Sequence, residues 1–187
     1  MVQTPIKKLT LEEFLASPQS DDRYELIDGA AIPKMSPKRF HSRTQRTCLH
    51  LLEDWGDDRG EIGLEWAIRL KRQGEDWVPV PDLLFISHKR LPPQQPLDDE
   101  ACPVPPELAI EIVSPGQTFG QLAENAADYL AAGILRVWIV DPMAKSITVF
   151  APNAVPITYR DDRLLTDPLL PDLEFTAQKL FKQAGLL

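Results

Sequence analysis

The sequence predicts an α/β domain, and three observations carry that prediction. Apolar residues make up 43% and charged residues 26% of the 187 positions, an ordinary globular composition with enough length to bury one core. Short apolar runs of strand type recur between two longer stretches whose apolar residues fall at helical spacing. The 18 prolines, against 9 glycines, divide the chain into many short elements joined by stiff turns. No internal repeat or composition shift marks a second domain, so residues 1–187 read as one domain.

Thr10-Leu11-Glu12-Glu13 has the order of a capping box and predicts a short helix that ends by Ser17-Pro18. Residues 23–27 and 30–32 read as strands around the turn signal Asp28-Gly29, a hairpin. Ser36-Pro37 offers an N-cap followed by proline at the first helical position. Phe40, Cys48, Leu51, Leu52 and Trp55 then fit a helix over about 37–55. Two extended segments, 62–70 and 78–86, flank a polar turn at 71–76, and 92–106 is a loop rich in Pro and Asp. The run 108–113 reads as a strand buried on both faces, interrupted by one carboxylate. Phe119, Leu122, Ala126, Tyr129 and Leu130 form one stripe of a helix over 119–132 with Gly133 as its cap. Strands at 137–140 and 147–150, a weaker one at 157–159 and a short helix at 176–183 complete the pattern.

Lys and Arg total 20 against 28 Asp and Glu, a net charge of −8, so no global positive field draws the protein to nucleic acid or acidic lipid. Any such binding is local. One stretch reverses the sign: from Gly29 to Leu52 there is no acidic residue, while Lys34, Lys38, Arg39, Arg43 and Arg46 are present. Lys38, Arg39, Arg43 and Arg46 are the candidate phosphate contacts, and DNA is the expected partner. Cys48 and Cys102 lack disulfide or zinc-ligand spacing, and no apolar run approaches the ~20 residues that span a bilayer. A reduced cytoplasmic setting without a membrane is expected.

Asp82, in Val80-Pro81-Asp82-Leu83, and Glu111, in Ala109-Ile110-Glu111-Ile112-Val113, are single carboxylates embedded in apolar strands. A buried charge is costly unless a partner or a metal compensates it. Two hard oxygen ligands on neighbouring strands suit Mg²⁺ or Mn²⁺. The competing account makes Asp82 a turn residue after Pro81 and pairs Glu111 with an arginine. His41, His50 and His88 show no ligand spacing, and a solvated role is expected for His41. The order of helix, strand with Pro-Asp, strand with Glu-x-Val and helix resembles the PD-(D/E)XK nuclease superfamily. More closely, it resembles the large bacterial family of small restriction-endonuclease-like proteins. The pieces that carry the resemblance are 24–29, Ser36-Pro37 with His41, 80–83, 111–115, and 129–133 through 137–142.

The resemblance implies a restriction-endonuclease-like mixed central β-sheet flanked by helices, with Asp82 and Glu111 as metal ligands for Mg²⁺ or Mn²⁺. It also implies that Glu25, which alternates with Tyr24 and Leu26 and so faces the other way, is a third acid near the metal. The superfamily places a lysine two residues after the Glu, which here is Val113. The close family takes its lysine from the following helix, four residues before the Tyr, which here is Asn125. Asn125 lies at the edge of the helix's apolar stripe and can hydrogen-bond a water but not take a proton. Loss of a positioned acid–base group costs about 10²–10⁴ in rate. Three readings stay open: a slow DNA endonuclease, an endonuclease using another cation such as Lys38, Arg43 or Lys145, or a protein that binds metal or DNA without cutting. A homodimer, with contacts supplied by exposed tryptophans, is compatible with each.

Overall fold

The computed structural model describes residues 8–18, 24–34, 38–93 and 101–187. Helix α1 (Leu11–Leu15) opens with the expected capping box: Thr10 Oγ1 accepts the Glu13 N–H at 3.2 Å, and Glu13 Oε2 accepts the Thr10 N–H at 3.0 Å. The hairpin follows as β1 (Tyr24–Ile27) and β2 (Ala30–Pro33). Its turn residues Asp28 and Gly29 have φ of 51° and 79°, the left-handed pair that suits the twist of antiparallel strands. Helix α2 (Arg39–Gly56) starts from Lys38 at its N-cap, and the Ser36-Pro37 start signal lies outside the described residues.

The segment from 60 to 77 corrects the sequence reading. Strand β3 (Gly60–Leu64) ends where Glu65 adopts a left-handed φ of 48°, so the expected strand over 62–70 is broken at its middle. Residues 71–76, expected as a polar turn, form most of a second hairpin, β4 (Leu70–Arg72) with β5 (Glu75–Trp77). The true turn is Gln73-Gly74, with φ of 52° and 89°. Both central residues must take positive φ there, and Gly74 allows this without strain. Strand β6 (Leu83–Ser87) therefore starts later than expected.

Then come β7 (Leu108–Ile112), α3 (Phe119–Ala131), β8 (Arg136–Asp141), β9 (Ser146–Phe150), β10 (Ile157–Arg160), β11 (Leu164–Leu165), β12 (Phe175–Thr176) and α4 (Ala177–Gln183). Six strands form one sheet in the order β10-β9-β8-β7-β6-β3. Only β7 and β8 run parallel, joined by α3, and the other neighbours are antiparallel, so the sheet is mixed as expected.

Strand alternation sorts the two faces. Leu83, Phe85, Leu108, Ile110 and Ile112 face α2 and α4, packing with Cys48, Leu52, Leu180 and Phe181. Leu84, Ile86, Ala109, Val137 and Ile139 face the opposite way, against Leu122, Ala126 and Tyr129 of α3. Strand β7 is buried at every position, as its apolar run predicted.

Two apolar expectations fail at helix starts. Phe40 and Phe119 are exposed, and the first two turns of α2 bury His41, Thr44 and Gln45 instead, because that end of the helix faces a polar site. The tryptophans invoked for a homodimer are less exposed than expected: Trp77 and Trp138 are buried, and Trp55 and Trp66 are half-buried. Their rings are spent internally, Trp55 edge-on to Phe85 at 4.9 Å and Trp77 against Tyr129 at 5.0 Å. Among the described residues no helix is long and apolar enough to cross a membrane.

Candidate active site

The pairing of β6 with β7 aligns Leu83 with Ile110. Asp82 immediately precedes Leu83, so it stands at the start of β6 beside Glu111, which follows Ile110 on the paired strand β7 and points to the α3 side of the sheet. They are 3% and 8% exposed. Asp82 stands at the entry to β6, where its Oδ2 accepts the Ile112 N–H at 2.7 Å and contacts His41 Nε2 at 2.9 Å. Its Oδ1 accepts a bond from Lys34 Nζ at 3.1 Å. Glu111 Oε1 accepts the hydroxyl of Tyr129 at 2.8 Å, so its partner is a phenol on α3 rather than an arginine.

Glu25 belongs to the same neighbourhood. Its Oε1 accepts the Val80 N–H at 3.0 Å, tying β1 to the segment that leads into Asp82. Glu65, held by its left-handed backbone, donates its N–H to the Asp82 carbonyl at 3.2 Å. Gln45 Nε2 bridges that carbonyl at 3.2 Å and Glu65 Oε1 at 3.1 Å.

The electrostatics follow from this crowding. Burial would push the Asp82 carboxyl up, but the His41 hydrogen bond, the Lys34 charge and the Ile112 N–H hold it below its ordinary range. Glu111 goes the other way: burial, and then the Asp82 charge, push it well above the usual value despite Lys34 and Tyr129. Glu25 is raised chiefly by burial. Burial would lower Lys34, yet the fields of Asp82, Glu111 and Glu65 outweigh it and hold the ammonium protonated above its ordinary range. Tyr129 is raised well above the usual phenol value by burial and by Glu111. Two carboxylates of opposite displacement, side by side in a sheet, are the pattern that a shared cation relieves.

Among the described residues no group of three or more His, Cys, Asp or Glu side chains is arranged to hold a metal. Two carboxylates with hard oxygens fit Mg²⁺ or Mn²⁺, which keep several waters and take few protein ligands, and do not fit an enclosed zinc site. Asp82 Oδ1 accepts one bond, from Lys34, and so keeps a lone-pair direction.

Of the residues singled out in the sequence, the structure brings Asp82, Glu111 and Glu25 together. Asn125 is exposed on α3, and no hydrogen bond joins it to either carboxylate among the described residues. On α2, Lys38 is exposed and sits about 60° around the helix from His41, whereas Arg39, Arg43 and Arg46 lie about 140–160° away. Arg43 packs its guanidinium so tightly on Gly185 that a Cβ there would collide with it. Lys145 donates to the Pro142 carbonyl and stands 5.6 Å over the Phe181 ring, away from the carboxylates.

His41 corrects an expectation: it is 4% exposed and bonded to Asp82, not solvated. Its i, i+4 relation to Gln45, both polar on the face that continues to Cys48 and Leu52, was the signal that could have found it. Lys34, Glu65 and Tyr129 were also missed as site residues. Lys34 was legible only as one charge in a basic run, because its approach depends on how the hairpin docks.

The family Uma2, described as "Putative restriction endonuclease", matches residues 11–178. The chain is also similar to a solved protein from Anabaena variabilis ATCC 29413, described as "a putative nuclease belonging to DUF820". The two share 25% identity and a TM-score of 0.81, over 94% of this chain and 99% of that one. No curated protein matches significantly. With the family matched from α1 into α4 and the fold shared over nearly the full length of both chains, this protein belongs to the Uma2 family and has its nuclease-like fold.

Proposed function

We propose that the protein is a Mg²⁺- or Mn²⁺-dependent endonuclease that hydrolyses phosphodiester bonds in DNA. The observation that carries this reading is the pair of buried carboxylates, Asp82 at the entry to β6 and Glu111 on the paired strand β7, close enough that the Asp82 charge raises Glu111. A divalent ion held by Asp82 and Glu111 would supply charge neutralisation on the phosphate and lower the pKa of the attacking water. The chain's own groups do the rest. Ile112 N–H and His41 fix the plane of the Asp82 carboxylate. Tyr129 orients Glu111, and Glu25, bound to Val80 N–H, adds a third carboxyl beside the pair. Lys38, Arg39, Arg43 and Arg46 of α2 are the proposed phosphate contacts along the DNA backbone, with Lys38 nearest the site.

A second reading, a protein that binds metal or DNA without cutting, is favoured by the uncharged Val113 and Asn125 at both places where a lysine is expected. One experiment separates the two. Plasmid and single-stranded DNA are incubated at low salt with Mn²⁺ or Mg²⁺ and either wild type or Asp82→Ala. The endonuclease reading expects cleavage by wild type that disappears in Asp82→Ala. Metal binding by calorimetry with no cleavage by wild type would establish the second reading instead.

A further inference from the structure

The two uncharged positions leave open where a cation at this site would come from. Among the described residues, the cation bonded to the carboxylate pair is Lys34, at 3.1 Å from Asp82 Oδ1. We propose that Lys34 is the catalytic cation of this site, reaching it from the β1–β2 hairpin rather than from β7 or α3, and that its ammonium binds a non-bridging oxygen of the scissile phosphate. The inference deepens the endonuclease reading and rests on it.

The hairpin itself aims the side chain. Glu25 pairs with Ile32 across β1 and β2, and cross-strand partners share a face. Lys34 lies two residues beyond Ile32, so the hairpin presents Glu25 and Lys34 toward the same side. Two anchors fix its approach: Leu26 exchanges backbone hydrogen bonds with Val78 at 3.2 and 3.0 Å, and Val80 N–H bonds Glu25. The chain that carries Lys34 is thereby stitched to the chain that carries Asp82.

Chemistry favours a role beyond neutralising Asp82. An ammonium has three donors, and Asp82 Oδ1 takes one. The Lys34 side chain is 19% exposed against 4% for that of Asp82, so of the two it is the one within reach of solvent. A phosphate bound by a metal on the carboxylates would lie within reach of the remaining Lys34 donors. Of the other cations considered, Lys145 is engaged at Phe181, Arg43 at Gly185, and Arg39 and Arg46 lie on the far side of α2, while Lys38, exposed at the N-cap of that helix, makes no hydrogen bond to either carboxylate among the described residues.

The test compares wild type, Lys34→Met, Lys34→Gln, Lys34→Cys before and after aminoethylation, and Asp82→Ala. Each is measured for Mn²⁺-dependent DNA cleavage, for Mn²⁺ affinity by calorimetry and for thermal unfolding. Cys48 and Cys102 are both buried, so the reagent addresses the introduced thiol. Lys34→Met and Lys34→Gln are expected to cut about 10²–10³ times more slowly, the loss typical of one electrostatic donor at a transition state. Their Mn²⁺ affinity is expected to be kept or tightened, because a neighbouring positive charge is gone. Aminoethylation of the Lys34→Cys variant, which restores an ammonium at nearly the same reach, is expected to recover most of the rate. Lys34→Gln keeps a donor toward Asp82 and serves if Lys34→Met does not fold. Cleavage within threefold of wild type in folded, metal-binding Lys34→Met or Lys34→Gln overturns this inference alone. Loss of Mn²⁺ binding together with cleavage also overturns it, by making Lys34 a structural prop. A wild type that does not cut removes the endonuclease reading, and this inference with it.

Discussion

Asp82 and Glu111 are buried neighbours, yet the same environment drives their protons in opposite directions, and stability should respond to each with opposite sign. Glu111 keeps its proton to higher pH in the folded protein than in the unfolded chain. Below its ordinary value of 4.5 both states are protonated and nothing is lost; as pH rises past it the unfolded chain gains by ionising, so folding is progressively disfavoured. In chelator, Glu111→Gln is therefore expected to raise the melting temperature near pH 7 and leave it unchanged near pH 4; an equal shift at both would show that charge is not the cause. Asp82 is lowered, so its contribution is present above its ordinary 3.8 and fades as pH falls through the folded value. Asp82→Ala leaves Lys34 unpaired and is expected to cost about 3–5 kcal/mol at neutral pH, by denaturant titration. Both acids were legible in the sequence because an isolated carboxylate in an apolar strand demands compensation. Their partners were not: His41, Lys34 and Tyr129 come from separate elements, and no local pattern encodes which of them turns toward the acid.

Elements were legible where a turn or cap carries its own chemistry, as in the Thr10 capping box, Asp28-Gly29 and the buried run of β7. They were misread where a backbone conformation decided the matter. Glu65 ends β3 with a left-handed φ that glutamate seldom adopts, and Gln73-Gly74 turns a hairpin inside what composition presents as a loop. Two glycines separate the steric and conformational parts of such effects. A Cβ at Gly60 would collide with the Ile86 carbonyl of the paired strand β6, whereas at Gly74 it would meet open space but a φ of 89°. Gly60→Ala is expected to cost about 1–3 kcal/mol by forcing β3 from β6. Gly74→Ala is expected to cost about 1 kcal/mol through backbone strain alone. Equal losses in urea melts would contradict the division.

For the molecule as a whole, the proposed endonuclease would meet DNA on terms set by a net charge of −8. Binding through a local basic surface releases counterions, so affinity should fall steeply with salt, and each phosphate contact removed should lower the log–log slope by about one. Lys38→Ala, at the site end of α2, is expected to produce that change in a fluorescence-anisotropy titration; a slope unchanged from wild type would exclude Lys38 from the DNA contact. The global arrangement, helices on a mixed sheet, was readable from element order, but the site's assembly was not, and the reason lies in chain distance. The bonds that converge on Asp82 and Glu111 come from Tyr129, Ile112, His41 and Lys34, at separations of 18, 30, 41 and 48 residues. No stretch of unfolded chain contains more than a fragment of the constellation. A ligand that needs both carboxylates thus has the native state as its only receptor, and its full binding free energy adds to folding, about 2.7 kcal/mol at a concentration of one hundred times Kd. Thermal unfolding becomes a calibrated balance for this protein, on which cations, nucleotides and oligonucleotides can be weighed against one another before any turnover is observed.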